Sequence, residues 1–199
     1  MAVGKAQICN LALAHIRQTK TTIANLDADE GSTAVLCRIH YDICRLFVLA
    51  DHNWTFATKR KALVDVGSPP ATWAYRYDWP TDCVQFQGVQ GQTREDNAIP
   101  FKIEMAPTGD KNSILTDEPL AVGLYTYDNE NTSGFPASFV SALSWYLASE
   151  LAPSLSGDRN LQRDCLEVYG RTKRAAQSID NRQEQFDPEP LSPWDQARL

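Results

Sequence analysis

Apolar residues recur at helical spacing toward both ends of the chain, and alternate or gather in short runs between them. Over residues 5–18, Ile8, Leu11, Ala12 and Ile16 share one face of a helix. A polar stretch, LDADEGST, follows, and Ser32 or Thr33 offers a hydroxyl to cap a second helix over residues 33–51. That helix carries two apolar stripes. The main one runs through Leu36, Ile39, Ile43, Leu46/Phe47 and Ala50, and a flanking one holds Cys37, Tyr41, Cys44 and Val48. Apolar on two sides, the helix is expected to pack on both, as the central member of a bundle.

The spacing changes at Asn53. NWTFATKRKALVDV, with Trp54, Phe56 and Leu63, reads as a strand or extended segment, and GSPP (67–70) as a turn. Further strands are expected in WAYRYDWPTDC (73–83), CVQFQGVQ (83–90), IPFKIEMA (99–106) and LAVGLYTYD (120–128). Clusters of Gly, Pro, Asn and Asp separate them, so residues 53–128 predict a small antiparallel β-rich insertion. Helical spacing returns behind Pro136, a good first-turn residue. Phe139, Val140, Leu143, Leu147 and Leu151 stripe a helix over 137–154, and SGD (156–158) turns the chain.

A last helix over 159–184 directs Leu161, Cys165, Val168/Tyr169, Thr172, Ala176 and Ile179 inward, with Glu167 and Arg171 at i,i+4. Three prolines in FDPEPLSPWDQARL then bar further helix. The expected fold is α+β, mainly α. It is an antiparallel bundle of about four helices with a β-rich insertion, one domain over 1–185, and an extended C-terminal arm over 186–199.

Composition narrows what such a fold can do. The formal net charge of −6 argues against a protein that coats DNA. The five cysteines (Cys9, Cys37, Cys44, Cys83, Cys165) are odd in number and scattered, and the first residues read as an amphipathic helix without a leader. Both features predict synthesis in the cytoplasm with reduced, mostly buried thiols, and no run is apolar enough for a membrane span.

Candidate chemistry is sparse. Cys37-x2-His40-x3-Cys44 puts three ligand types on one helix, but without a second cluster it reads as two core thiols and a hydrogen-bonded histidine. LDADEGS and DNENTSG lack the glycine and the bidentate glutamate at the positions a calcium loop requires. No nucleophile elbow, phosphate loop, dinucleotide fingerprint or HExxH occurs. Ser138, Ser141, Ser144 and Ser149 read as the solvent or inter-subunit face of their helix. These residues predict no catalytic site, no metal and no cofactor.

Two features invite a nucleic-acid reading. Lys59-Arg60-Lys61 and Arg171, Lys173 and Arg174 form basic clusters, and Trp73, Tyr75, Tyr77 and Trp79 alternate as an aromatic stripe. Yet Asp78 and Asp82 lie beside the stripe, and acids there would repel a phosphate backbone. Packing, against the helices or a neighbouring subunit, is the expected role of the rings, with Pro80–Asp82 as the turn that ends the strand.

The order of these patterns resembles the phage head-to-tail adaptor family, the tail tubular protein A-like proteins. The resemblance rests on ICNLALAHI followed by IANLDADEGSTA. It continues through Tyr41-Asp42-x-x-Arg45, the run His52-x-Trp54-x-Phe56-Ala57, and Tyr75-x-Tyr77-x-x-Pro80-x-Asp82-Cys83. The final piece is a Tyr and polar loop before Phe135-Pro136-x-x-Phe139, and the whole covers about residues 5–180.

It implies a non-enzymatic virion protein, made in the host cytoplasm and located at the head–tail junction. Such a protein assembles as a homo-oligomeric ring, commonly of twelve subunits, below the portal. DNA passes through its lumen without sequence specificity, and a tail nozzle or tube lies beyond. The resemblance also suggests a portal-docking role for the C-terminal arm, with Leu191, Trp194 and Leu199 as anchors. The competing readings are a nucleic-acid-binding module and a tail-associated hydrolase.

Overall fold

The computed structural model describes residues 3–18, 22–91 and 99–183. It is a mixed helix and sheet protein. Helices α1 (Lys5–His15) and α2 (Ser32–Ala50) come first, and six strands follow. The strands are β1 (Thr58–Ala62), β2 (Tyr75–Asp78), β3 (Cys83–Gln90), β4 (Phe101–Met105), β5 (Asn112–Thr116) and β6 (Val122–Tyr127). Helices α3 (Ala137–Leu155) and α4 (Arg159–Asn181) close the described chain.

The helix ends follow local chemistry. Arg17 has φ 62° just past α1, which stops that helix short of the expected residue 18. At α2 neither Ser32 nor Thr33 caps. Gly31 is the N-cap and no side chain accepts its first-turn N–H groups. Instead Arg38 reaches back and donates to the carbonyls of Leu26 and Asp29, each at 2.7 Å. The LDADEGST loop is therefore held by an arginine.

Pro136 is the N-cap of α3 and does not enter its first turn. Asp158 caps α4, accepting from the N–H of Asn160 at 2.8 Å, one residue after Gly157 turns the chain at φ +67°.

Helix α3 is the hub: α1, α2 and α4 each pack on it. Its expected stripe of Phe139, Val140, Leu143, Leu147 and Leu151 is buried, and so are Ala142, Ala148 and Ala152 on its other sides. A helix apolar all round belongs in the middle of a layer. This corrects the expectation that α2 is central. Ser144 and Ser149 are also buried within the chain, which corrects their assignment to a solvent or inter-subunit face. Their hydroxyls donate to the carbonyls of Ser141 and Tyr146 on the same helix, so burial leaves neither unpaired.

The strands form two three-stranded antiparallel sheets, ordered β1-β6-β3 and β2-β5-β4. β5 (NSILT) carries no strand signature in the sequence, being short and flanked by polar turns, yet it is the central strand of its sheet and mostly buried. NWTFATKRKALVDV divides: Thr55–Ala57 is a 3-10 turn and only Thr58–Ala62 is strand.

Tyr77, Phe86, Val89, Ile114, Ala121 and Tyr125 make a second core associated with the sheets, separate from the helical one. Closeness there is tight. A Cβ on Gly123 would lie 2.7 Å from Leu63 Cδ2 and 3.0 Å from Phe86 Cε2, so any side chain there must push those side-chain ends aside.

Candidate functional site: an uncovered face of helix α2 and the clusters around it

On α2, Cys37, Tyr41, Cys44 and Val48 are buried against the helical core. The main stripe faces the other way. Ile39 is 58% exposed, Ile43 67% and Phe47 48%, with Val35 exposed at the near end of the same row. Leu36 and Leu46 are half-buried beside them. The expectation that this stripe is core is overturned for Ile39, Ile43 and Phe47, while Leu36 does pack against the helical core. Phe47 stacks on Tyr146 of α3 at 4.5 Å between ring centroids, so the apolar surface continues onto the next helix. Leucine, isoleucine and phenylalanine gathered over several turns are unusual on a surface without a partner.

Arg45, from the Tyr-Asp-x-x-Arg pattern, joins α2 to the end of β6. It is 2% exposed, donates to the Asn129 carbonyl at 2.9 Å, and pairs with Asp128 and with Asp42 at 3.4 Å. The other end of α2 is tied to α4, where Tyr169 Oη and Lys173 Nζ each reach Asp51 Oδ2 at 2.7 Å. Burial and the bond to Asp51 push the Tyr169 hydroxyl well above its ordinary value.

Asp180 on α4 accepts from Thr55 N at 3.0 Å and Thr55 Oγ1 at 2.7 Å, at the start of the 3-10 turn where N–H groups are free. His52 Nε2 stands 3.3 Å from the same carboxylate.

The remaining motif residues are structural. Trp54 is buried and donates from Nε1 to the Val48 carbonyl at 2.8 Å. Phe56, Phe135 and Phe139 meet Trp54 in one aromatic cluster, with Phe56 and Phe139 4.9 Å apart. Tyr77 is buried and donates to the Glu118 carbonyl at 2.9 Å, while Tyr75 stacks beside it at 6.0 Å.

Trp79 lies 5.9 Å from Phe86, so these rings pack within the cluster around the two sheets, where burial against the helices had been expected. Each buried ring contributes about 2–3 kcal/mol. Cys83 N donates to the Pro80 carbonyl at 3.0 Å, the turn expected there.

Asp82 accepts from Lys59 at 2.8 Å and Tyr125 at 2.9 Å. Burial works to raise its pKa, but those two hydrogen bonds outweigh it and hold the carboxyl below its ordinary range.

The groups that resemble reactive chemistry are mostly buried or partnered. His15 Nε2 lies 3.1 Å from Ser144 Oγ and stacks on Trp145 at 3.6 Å. Ser144 Oγ also lies 2.8 Å from the Ser141 carbonyl, and while it donates there the imidazole donates to the hydroxyl. Burial also holds His15 below its ordinary value.

All five cysteines are free, four of them buried and Cys83 half-buried. A hydrogen bond to Cys37 and burial raise Cys9, while burial pushes Cys44 and Cys83 up to about 12, which keeps them as thiols at neutral pH. Among the described residues no three His, Cys, Asp or Glu side chains converge on a metal position, Cys37-x2-His40-x3-Cys44 included. Of the basic clusters, Lys59 pairs with Asp82, Arg171 with Glu167 at 3.5 Å, and Lys173 with Asp51.

Leu191, Trp194 and Leu199, the anchors suggested for the arm, lie outside the described residues. No helix among the described residues is long and apolar enough to cross a membrane. Compared with models of known families and with curated proteins, the chain matches none. The described residues define a protein of four helices and two small antiparallel sheets, with one helix left apolar toward solvent.

Proposed function

We propose that this chain is the structural subunit of a phage head-to-tail adaptor. Copies form a ring beneath the portal, continue its DNA channel, and hand the DNA to a tail nozzle or tube. In this reading the four helices are a bundle carrying a β-rich insertion, and residues 186–199 are the arm that docks on the portal.

The observation that carries it is the exposed row Val35, Ile39, Ile43 and Phe47 on a helix otherwise firmly held in the fold. A ring requires each subunit to offer a surface that its neighbour covers, and this row is such a surface. The motif order of the adaptor family supports the same reading. Its members Trp54, Tyr77, Pro80, Phe135 and Phe139 serve packing and turns here, as befits a protein whose task is assembly. A nucleic-acid platform is less well supported, because Tyr77 is buried and Tyr75 lies against it.

The test is the mass and electron-microscope image of the purified chain, alone and mixed with the portal protein of the same phage. Closed rings stacked on the portal are expected. A chain that stays monomeric with the portal present refutes the proposal.

A further inference from the structure

Rings from three helices meet at one place on the helical layer. Phe47 of α2 stacks on Tyr146 of α3 at 4.5 Å, and Tyr169 of α4 lies 5.0 Å from Tyr146. Tyr169 is buried, Tyr146 half-buried and Phe47 exposed, so the row ends as an aromatic step open to solvent. Ile43 and Ile39 extend the exposed surface by one and two turns along α2.

The same rings locate the root of the C-terminal arm. Between Tyr169 and Arg182, α4 runs about 20 Å past the step. It ends beside the segment that follows α2, because Asp180 accepts two hydrogen bonds from Thr55. Residues 184–199 therefore leave the fold roughly 20–25 Å from Phe47, at the same end of α2.

Those residues, EQFDPEPLSPWDQARL, have the length and the chemistry to return to the step. An extended chain rises about 3.1 Å per residue, which puts Leu191 about 25 Å from Gln183 and Trp194 about 34 Å. Phe47 lies within the first distance, and Ile39, about 12 Å further along α2, within the second. Pro188, Pro190 and Pro193 favour the polyproline form, which loses little entropy on docking and suits aromatic surfaces.

The size of the bare surface favours a tethered segment over a second folded body. From Val35 to Phe47 it is about 18 Å long and about 10 Å wide, roughly 180 Å². A stable pair of folded bodies takes about 800 Å² from each side. An arm of the same chain needs far less, because its attachment holds it at an effective concentration in the millimolar range.

We propose that in the free subunit the segment 186–194 folds back on its own α2. Pro188 and Pro190 lie on the Phe47–Tyr146 step, and Leu191 and Trp194 cover Ile43 and Ile39. The contact stands apart from the ring reading, and its consequence rests on that reading. A portal that captures Leu191 and Trp194 uncovers the α2 row for the neighbouring subunit, so rings close where a portal is present.

The test uses the full chain without portal, diluted until it is monomeric. His40→Cys, half-buried at the edge of the row, and Ser192→Cys are combined in a Cys83→Ser chain and treated with a short bis-maleimide. A loop closed within one chain is expected, forming at least tenfold faster than when Ile179→Cys replaces His40→Cys. Ile179 is exposed on α4 and closer to the root of the arm, so an arm that does not dock meets it first. In parallel, Ile43→Lys should speed chymotrypsin cleavage after Trp194 at least tenfold, with unchanged melting of the chain.

Equal rates at the two positions overturn the docked arm and leave the adaptor reading standing. Cross-links found only between chains also overturn it, and place the arm on another copy. A loop closed within a chain that stays monomeric with its portal present upholds the contact and removes the adaptor reading.

Discussion

Arg45→Met offers the clearest test of how α2 is tied to the sheets. The methionine keeps most of the aliphatic stem and removes the guanidinium, which is 2% exposed. Three acceptors then lose their donor: the Asn129 carbonyl, Asp128 and Asp42. They are not equal. Asn129 is 5% exposed, so its carbonyl cannot easily recruit water, and a hydrogen bond from a charged donor is worth about 1.5–3 kcal/mol. The Asp128 and Asp42 side chains are 35% and 59% exposed and can rehydrate, so each adds only about 0–1 kcal/mol.

Recovering the cost of desolvating the arginine offsets part of the sum. The expected net loss is about 2–3 kcal/mol, a fall in melting temperature of roughly 5–10 °C for a chain of this size. Urea unfolding followed by circular dichroism measures the free energy. A double-mutant cycle with Asp128→Asn isolates the ion pair, and its coupling should be below about 1 kcal/mol. If Arg45→Met matches the wild type, the guanidinium is no net anchor, and the Tyr-Asp-x-x-Arg pattern does not tie α2 to the sheets.

Two further predictions concern the two cores. Because burial lowers the pKa of His15, the unfolded chain binds this proton more readily than the folded one. Stability from this group is full above about pH 6.5, its unfolded value, and falls as the pH drops below it, by no more than about 1.4 kcal/mol per pH unit. His15→Gln should flatten that slope between pH 7.5 and 5 in urea titrations, and an unchanged slope would assign it to other groups. Gly123→Val drives a side chain into Leu63 and Phe86 and should cost about 1–3 kcal/mol by the same assay. A loss of only a few tenths would mean that β6 has more room than its neighbours suggest.

Local rules find what local physics decides. Four helices are readable because each repeats apolar residues over at least two turns, and five of the six strands because Gly and Pro clusters bracket them. β5 escapes because its central place is set by β2 and β4 pairing on either side, which no property of NSILT announces. Ser144 and Ser149 mislead for a related reason. A hydroxyl that bonds its own helix carries no penalty in a core, so polarity alone cannot place it outside. The role of Arg45 is visible only as a pattern, since Asp128 and Asn129 come to it from far along the chain.

The expectation for α2 fails in an instructive direction. Its two apolar stripes imply two covered sides, and among the described residues α3 covers one of them. That both sides lie inside the same chain is an added assumption, because the hydrophobic effect responds to water excluded by any neighbour. Both stripes have helical spacing, and in the Leu36 to Ala50 stripe Ile39, Ile43 and Phe47 are the residues left in solvent, while Leu36 packs against the helical core. The more mixed stripe of cysteines, Tyr41 and Val48 is buried at home. Ile39, Ile43 and Phe47, which no described residue covers, are therefore the part of α2 that has still to find a neighbour.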